Sequence, residues 1–154
     1  MNTRKLFQAA TNANKARVIV INKMDAGNVD LTELISQIQE TFGSQCRCAN
    51  LPGADKASVI DCIINQSGES AVMDPATAHT ELLESVIEAD DDMMEAYLGG
   101  EEITPEQVAN VFIKAMRQGT IIPIVFTDAC KGAGVKELLD LIVKETPSPA
   151  DVPL

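Results

Sequence analysis

A chain of 154 residues, 45% hydrophobic and 23% charged, has the make-up of one ordinary globular domain with one or two small cores, which excludes a disordered acidic tail. Aromatic residues are only 3%, with one Tyr and no Trp, and the formal charge is -11. No direct nucleic-acid binding is therefore expected of this surface; the negative charge reads first as solubility, with steering toward a basic protein as the other reading.

Thr3 caps a first predicted helix with Leu6, Phe7 and Ala10 on its apolar face, ending near Asn14. It feeds an apolar strand over residues 16–21, and such a strand wants neighbours on both sides, so further sequence is expected upstream. Asp30 and Glu33 form a capping-box pair ahead of Leu31, Leu34, Ile35, Ile38 and Phe42, with Gly43 as the stop. Residues 45–51 and 58–64 read as two strands of a small antiparallel sheet around the Pro52-Gly53-Ala54-Asp55 turn signal, and 70–73 adds a short third.

Asp74-Pro75 opens one long predicted helix that closes at Gly99-Gly100. Thr104, Pro105 and Gln107 cap the next, whose inner stripe is Val108, Val111, Phe112, Ala115 and Met116. The apolar run Ile121 to Phe126 follows as a strand, and Pro123, which removes a ladder donor, argues for an edge or bulged position. A loop from Thr127 to Gly132 leads into a helix with Val135, Leu138, Leu139 and Ile142, and residues 147–154 read as a proline-restrained linker to a following domain.

Four Cys, at 46, 48, 62 and 130, are too sparse for a disulfide framework, so a reduced, cytoplasmic setting is the simpler expectation. Cys46 and Cys48 share one face of a strand, yet zinc needs two more ligands and His79 lies far along the chain, so no metal site is expected. No apolar stretch approaches membrane-spanning length. The carboxylates from Glu84 to Glu95 read as a solvated helix face.

Two loops carry the chemistry. Asn22-Lys23-Met24-Asp25 follows the run Val18 to Ile21. Guanine presents two parallel donors, N1–H and the 2-amino group, and a carboxylate such as Asp25 accepts both at once. Asn22 presents an amide to the N7/O6 edge and braces the loop, while the Lys23 stem covers the base and its ammonium reaches the ribose. Adenine lacks those donors, so guanine is the predicted preference. The loop after the second apolar strand supplies a backbone N–H to guanine O6, assigned to Ala129; both loops leave the carboxyl ends of strands, where open α/β sheets bind ligands. Each loop taken alone also reads as an ordinary connection between a strand and a helix. Asn22 and Ala129 are 107 positions apart, whereas a simple crossover takes about 30, so an inserted subdomain separates them. No GxxxxGK[ST] segment occurs, so the glycines, Lys and Ser/Thr that hold phosphates and magnesium are missing.

This order of features resembles elongation factor G, a translational GTPase. The base-reading loop is similar to Val20 through Asp25, the insert to Glu84 through Ile103 with its Tyr97-Leu98-Gly99-Gly100-Glu101-Glu102 segment, the second guanine loop to Asp128-Ala129-Cys130-Lys131 before Gly134-Val135, and the domain exit to Pro147 through Pro153. Three departures stand out: Asp128 replaces the family's common Ser and puts an extra carboxylate near the base, the region between 43 and 80 is short, and the phosphate loop, switch segments and catalytic His region have no counterpart.

The resemblance implies an α/β fold: a partial P-loop-NTPase-type parallel sheet with a small inserted α+β subdomain. Residues 1–25 and 119–146 would form the partial guanine-nucleotide-binding domain, 26–118 the insert and 147–154 the linker. Asn22, Lys23, Asp25, Asp128 and Ala129 are the expected guanine-binding residues, with GTP or GDP as ligand in the parent and Mg2+ only alongside the missing phosphate-binding half. The parent would hydrolyse GTP in ribosomal translocation or a related ribosome step, and this chain alone is expected to be inactive. The alternative is a protein-interaction module or stand-alone adaptor, docking a ribosomal stalk protein through the insert without binding nucleotide.

Overall fold

The computed structural model describes residues 2–101 and 103–146. Its centre is a parallel three-stranded sheet in the order β1 (Ile19–Ile21), β5 (Ile122–Phe126), β2 (Cys46–Cys48). Alternation along the strands sends Ile19, Ile21, Ile122, Ile124 and Phe126 to one face, where α1 (Asn2–Asn12) and α2 (Leu31–Phe42) lie. Val18 and Val125 point to the other face, packed by α3 (Pro75–Glu88), α4 (Asp91–Leu98), α5 (Pro105–Gln118) and α6 (Val135–Glu145). The protein is thus α/β, with helices on both faces of a parallel sheet.

The caps at Asp30 and Thr104 form where the sequence places them, whereas Thr3 lies inside α1 and Asp74 precedes α3 without a side-chain cap bond. Asp30 accepts from the amides of Thr32 and Glu33 at 2.9 and 3.1 Å, and Gly43 ends α2. Thr104 and Gln107 complete a reciprocal capping box, and Gly119 closes α5 in the left-handed region.

Three expectations are corrected. Residues 45–51 do not belong wholly to a small antiparallel sheet: β2 runs parallel to β5, and only β3 (Asn50–Pro52) pairs antiparallel with β4 (Val59–Asp61), with Ser70 adding a single bridge to Gly53. One strand path therefore serves two sheets, and β2 joins the main sheet although it falls within the 26–118 span of the expected insert. Residues 75–98 form two helices, because Asp90 takes an extended φ of -141°, accepts from the Met93 amide at 3.2 Å and pairs with Lys114 at 2.5 Å. Pro123 sits in the central strand. Donors of β5 alternate sides, Ile122 toward Gln45 and Thr127 toward Ile21, so the Pro123 nitrogen faces the β1 side before that strand begins opposite Ile124.

Cys46, Cys48 and Cys62 are buried thiols, and burial pushes Cys48 and Cys62 up to about 12, whereas Cys130 is exposed. His79 Nδ1 lies 2.8 Å from the Cys62 carbonyl oxygen. Among the described residues no three potential ligands are grouped to hold a metal, and no helix is long and apolar enough to cross a membrane. The expected linker at 147–154 lies outside the described residues.

The carboxyl end of β5 is held by a side chain acting as a ladder rung. Asn50, 3% exposed, accepts from the Phe126 amide at 2.6 Å and donates to the Phe126 carbonyl at 3.2 Å. Asn50→Ala leaves both buried backbone groups unpaired, so a loss of roughly 2–5 kcal/mol is expected from equilibrium urea unfolding.

Candidate functional site

The two chemistry-bearing loops emerge side by side from adjacent parallel strands. Ile21 and Phe126 are register partners at the strand ends, and the ladder continues past them: the Thr127 amide donates to the Ile21 carbonyl at 2.9 Å and the Met24 amide to the Thr127 carbonyl at 3.2 Å.

Met24 is 0% exposed and packs among Ile21, Leu31 and Phe126 in the α2-side core. Burying it between two polar neighbours needs a sharp reversal, and Lys23 supplies it with a φ of +60°, an uncommon conformation for a residue with a side chain. Asn22, Lys23 and Asp25 remain exposed around this apolar plug. The following loop is fixed from its far side by Gly134, whose φ of +72° and closeness to Phe126 leave no space for a side chain: a Cβ there would lie 2.4 Å from the Phe126 carbonyl oxygen.

Asn22 ties the loops together. Its Oδ1 accepts from the Ala129 amide at 3.0 Å and from Thr127 Oγ1 at 3.3 Å. With the oxygen spent on protein donors, the Nδ2 hydrogens are the part of the amide left to meet a ligand acceptor such as a purine N7. The Ala129 amide, expected to donate to guanine O6, is engaged by Asn22 in this state; contact with O6 requires that proton to be shared.

Asp25 and Lys131 form the other bridge, with Nζ 2.7 Å from Oδ2. The hydrogen bond from Lys131 holds the Asp25 carboxyl below the usual carboxylate range, against a smaller opposing effect of burial, and raises the lysine in return. Asp25 is thus ionised and able to accept a pair of parallel donors once Lys131 yields. Lys131 was not among the expected guanine-binding residues; a single cation beside Ala129 was the only sign, and the partner lies 106 positions away.

Asp128 takes a different place from the expected base contact. It is 2% exposed, its Oδ1 accepts from the amides of Cys130 and Lys131 at 3.1 and 3.3 Å, and its Oδ2 is buried without a hydrogen-bond partner, 3.8 Å from Lys131 Nζ. A carboxylate so enclosed braces the loop in this conformation and does not face the open side. Asn22, Lys23, Asp25 and Ala129 are gathered; Asp128 lies beneath them.

These residues suit a guanine base, with an ionised carboxylate, a free amide NH2, a shared main-chain N–H and two lysine stems. A lowered carboxyl pKa stabilises the fold above the unfolded value and the contribution vanishes as pH falls through the folded value. Because the pair is exposed, Lys131→Gln is expected to leave stability nearly unchanged while moving Asp25 back up toward the ordinary range. A carboxyl-carbon NMR titration below pH 5 or so reads both values directly; an unchanged Asp25 titration in the variant contradicts the pairing.

The family of the elongation factor Tu GTP binding domain matches residues 1–148. Among solved structures, the chain is similar to a protein of Thermus thermophilus at 28% identity and a TM-score of 0.81, over 96% of this chain and 24% of that one. The chain thus spans about a quarter of the length of that relative.

Proposed function

The chain belongs to the elongation factor Tu GTP binding domain family, and from that membership we propose that it carries the guanine-reading part of an elongation factor G-like translational GTPase. The single observation that carries the reading is the 3.0 Å bond from the Ala129 amide to Asn22 Oδ1, which joins loops 107 positions apart next to an ionised Asp25.

Asp25 accepts guanine N1–H and the 2-amino group, Asn22 Nδ2 donates to N7, the Ala129 amide reaches O6, and the Lys23 and Lys131 stems cover the base faces. Asp128 holds the second loop. In this division residues 2–48 and 119–146 form the nucleotide domain and the insert begins at β3, because β2 shares the main sheet with β5. In the parent, GTP binding and hydrolysis would serve ribosomal translocation or a related step in the cytoplasm. Mg2+ is proposed only alongside the phosphate-binding loop, of which this sequence has no GxxxxGK[ST] segment.

Two charge-assisted hydrogen bonds at about 1.5–3 kcal/mol each must offset an association cost of at least about 4 kcal/mol, so GDP binds this chain at millimolar affinity or weaker and hydrolysis is negligible. Titration of the isotope-labelled chain is expected to shift Asn22 to Asp25 and Ala129 with GDP, far less with ADP, and the preference is expected to vanish in Asp25→Ala. Micromolar GDP binding, or equal response to ADP, contradicts this reading.

A second reading rests on α4, where Tyr97 and Leu98 are 51% and 78% exposed beside Asp91, Asp92 and Glu95. Apolar contact ringed by carboxylates fits a basic protein surface, with a ribosomal stalk protein as the proposed partner. Added to the same labelled chain, a stalk protein that moves no resonance between residues 76 and 118 removes this reading.

A further inference from the structure

The positive charge of this acidic chain is unevenly placed. Arg4, Lys5, Lys15, Arg17 and Lys23 all precede Asp25, the first carboxylate in the sequence. Two of them, Arg4 and Arg17, line a cavity of about 330 Å³ between α1 and the end of α2, and no carboxylate lines it. Neither arginine forms an ion pair among the described residues, whereas Arg47, Lys114, Lys131 and Lys136 are each matched to an Asp or Glu.

The cavity is built around a fixed guanidinium. Arg17 Cζ stands 5.0 Å from the centre of the Phe7 ring, Phe7 packs on Phe42 at 4.4 Å, and Arg17 Nη1 donates to Thr11 Oγ1 at 2.5 Å. Arg17 Nε is buried and has no acceptor. Arg17 thus carries a buried donor without a hydrogen-bond partner among the described residues, at the wall of a cavity that no carboxylate lines. Across the cavity Arg4 makes, among the described residues, only a long contact, 3.4 Å, with Thr41 Oγ1, which leaves most of its donors available.

We propose that this cleft binds a phosphate group carried by a small ligand. Two guanidinium groups supply charge-assisted donors to its oxygens, the Thr41 hydroxyl offers another, and the half-buried Phe7 and Phe42 rings floor the space for a planar remainder. A small ligand is favoured over an extended polyanion because the cavity itself is lined by no carboxylate, while the chain as a whole carries a formal charge of -11 that repels a long run of phosphates. The cleft is separate from the guanine loops, since Arg17 precedes β1 and Asn22 follows it.

Inorganic pyrophosphate titrated into the labelled full chain tests this. Saturable shifts are expected at Arg4, Thr11, Arg17 and Thr41. Arg4 is exposed, so Arg4→Gln keeps the fold and is expected to weaken binding about tenfold or more, whereas Lys5→Gln, which removes the same charge outside the cavity, changes it less than about twofold. Arg17→Lys, which keeps the charge and loses the fork, is also expected to weaken binding. No saturation by tens of millimolar, or equal losses in Arg4→Gln and Lys5→Gln, overturns the proposal. An oligouridylate that binds far more tightly than pyrophosphate and shifts residues beyond the cleft overturns the small-ligand assignment in favour of an RNA surface. Pyrophosphate carries no base, so failure here leaves the guanine reading untouched.

Discussion

One side-chain oxygen, Asn22 Oδ1, holds the candidate site together, because it accepts from both the Ala129 amide and the Thr127 hydroxyl of a loop far away in sequence. A carboxamide suits this position, since its oxygen satisfies the protein while its nitrogen keeps two donors for a ligand. Asp in the same place would offer only acceptors, and Ser too short a reach. The carboxylate at Asp25 and the donors at Ala129 have meaning as one site only because this bond fixes their separation.

The clamp rests on a deeper layer of constraints. Parallel pairing of Ile21 with Phe126 brings the strand ends level, Met24 plugs one loop into the core, and Asn50 supplies the rung that β2 and β3 do not provide at Phe126. Gly134 then lets α6 begin against the Phe126 carbonyl. Each is a buried group with its partner, so the exposed residues above them inherit a rigid base. Charge is arranged on the same frame: Lys131 pairs with Asp25 beyond the carboxyl end of β1, and among the described residues Arg4 and Arg17, which precede it, stand without carboxylate partners.

Much of the fold is legible along the chain because its causes are local. Asp30, Thr104 and Gly119 announce helix ends by the chemistry of neighbouring amides, and the run Val18 to Ile21 ahead of Asn22 announces a strand that ends in a polar loop, although only Ile19–Ile21 pair and Val20 stays exposed at the sheet edge. The features that mislead depend on distant partners. Pro123 signals an edge until the alternation of donors shows that its nitrogen faces a place where β1 has not begun. Asp90 looks like one of three equivalent surface carboxylates until Lys114 and the Met93 amide single it out as the start of a new helix. Asp128 and Lys131 find partners that the local sequence does not announce: adjacent amides capture the first, and a carboxylate 106 positions away captures the second.

Amide hydrogen exchange at Ala129 tests the central claim most directly. The account predicts slowed exchange in the ligand-free chain, and a selective return toward the unprotected rate in Asn22→Ala, while Ile124 to Phe126 in β5 stay protected. Exchange at the unprotected rate in the unaltered chain, or protection that survives removal of the Asn22 side chain, contradicts it.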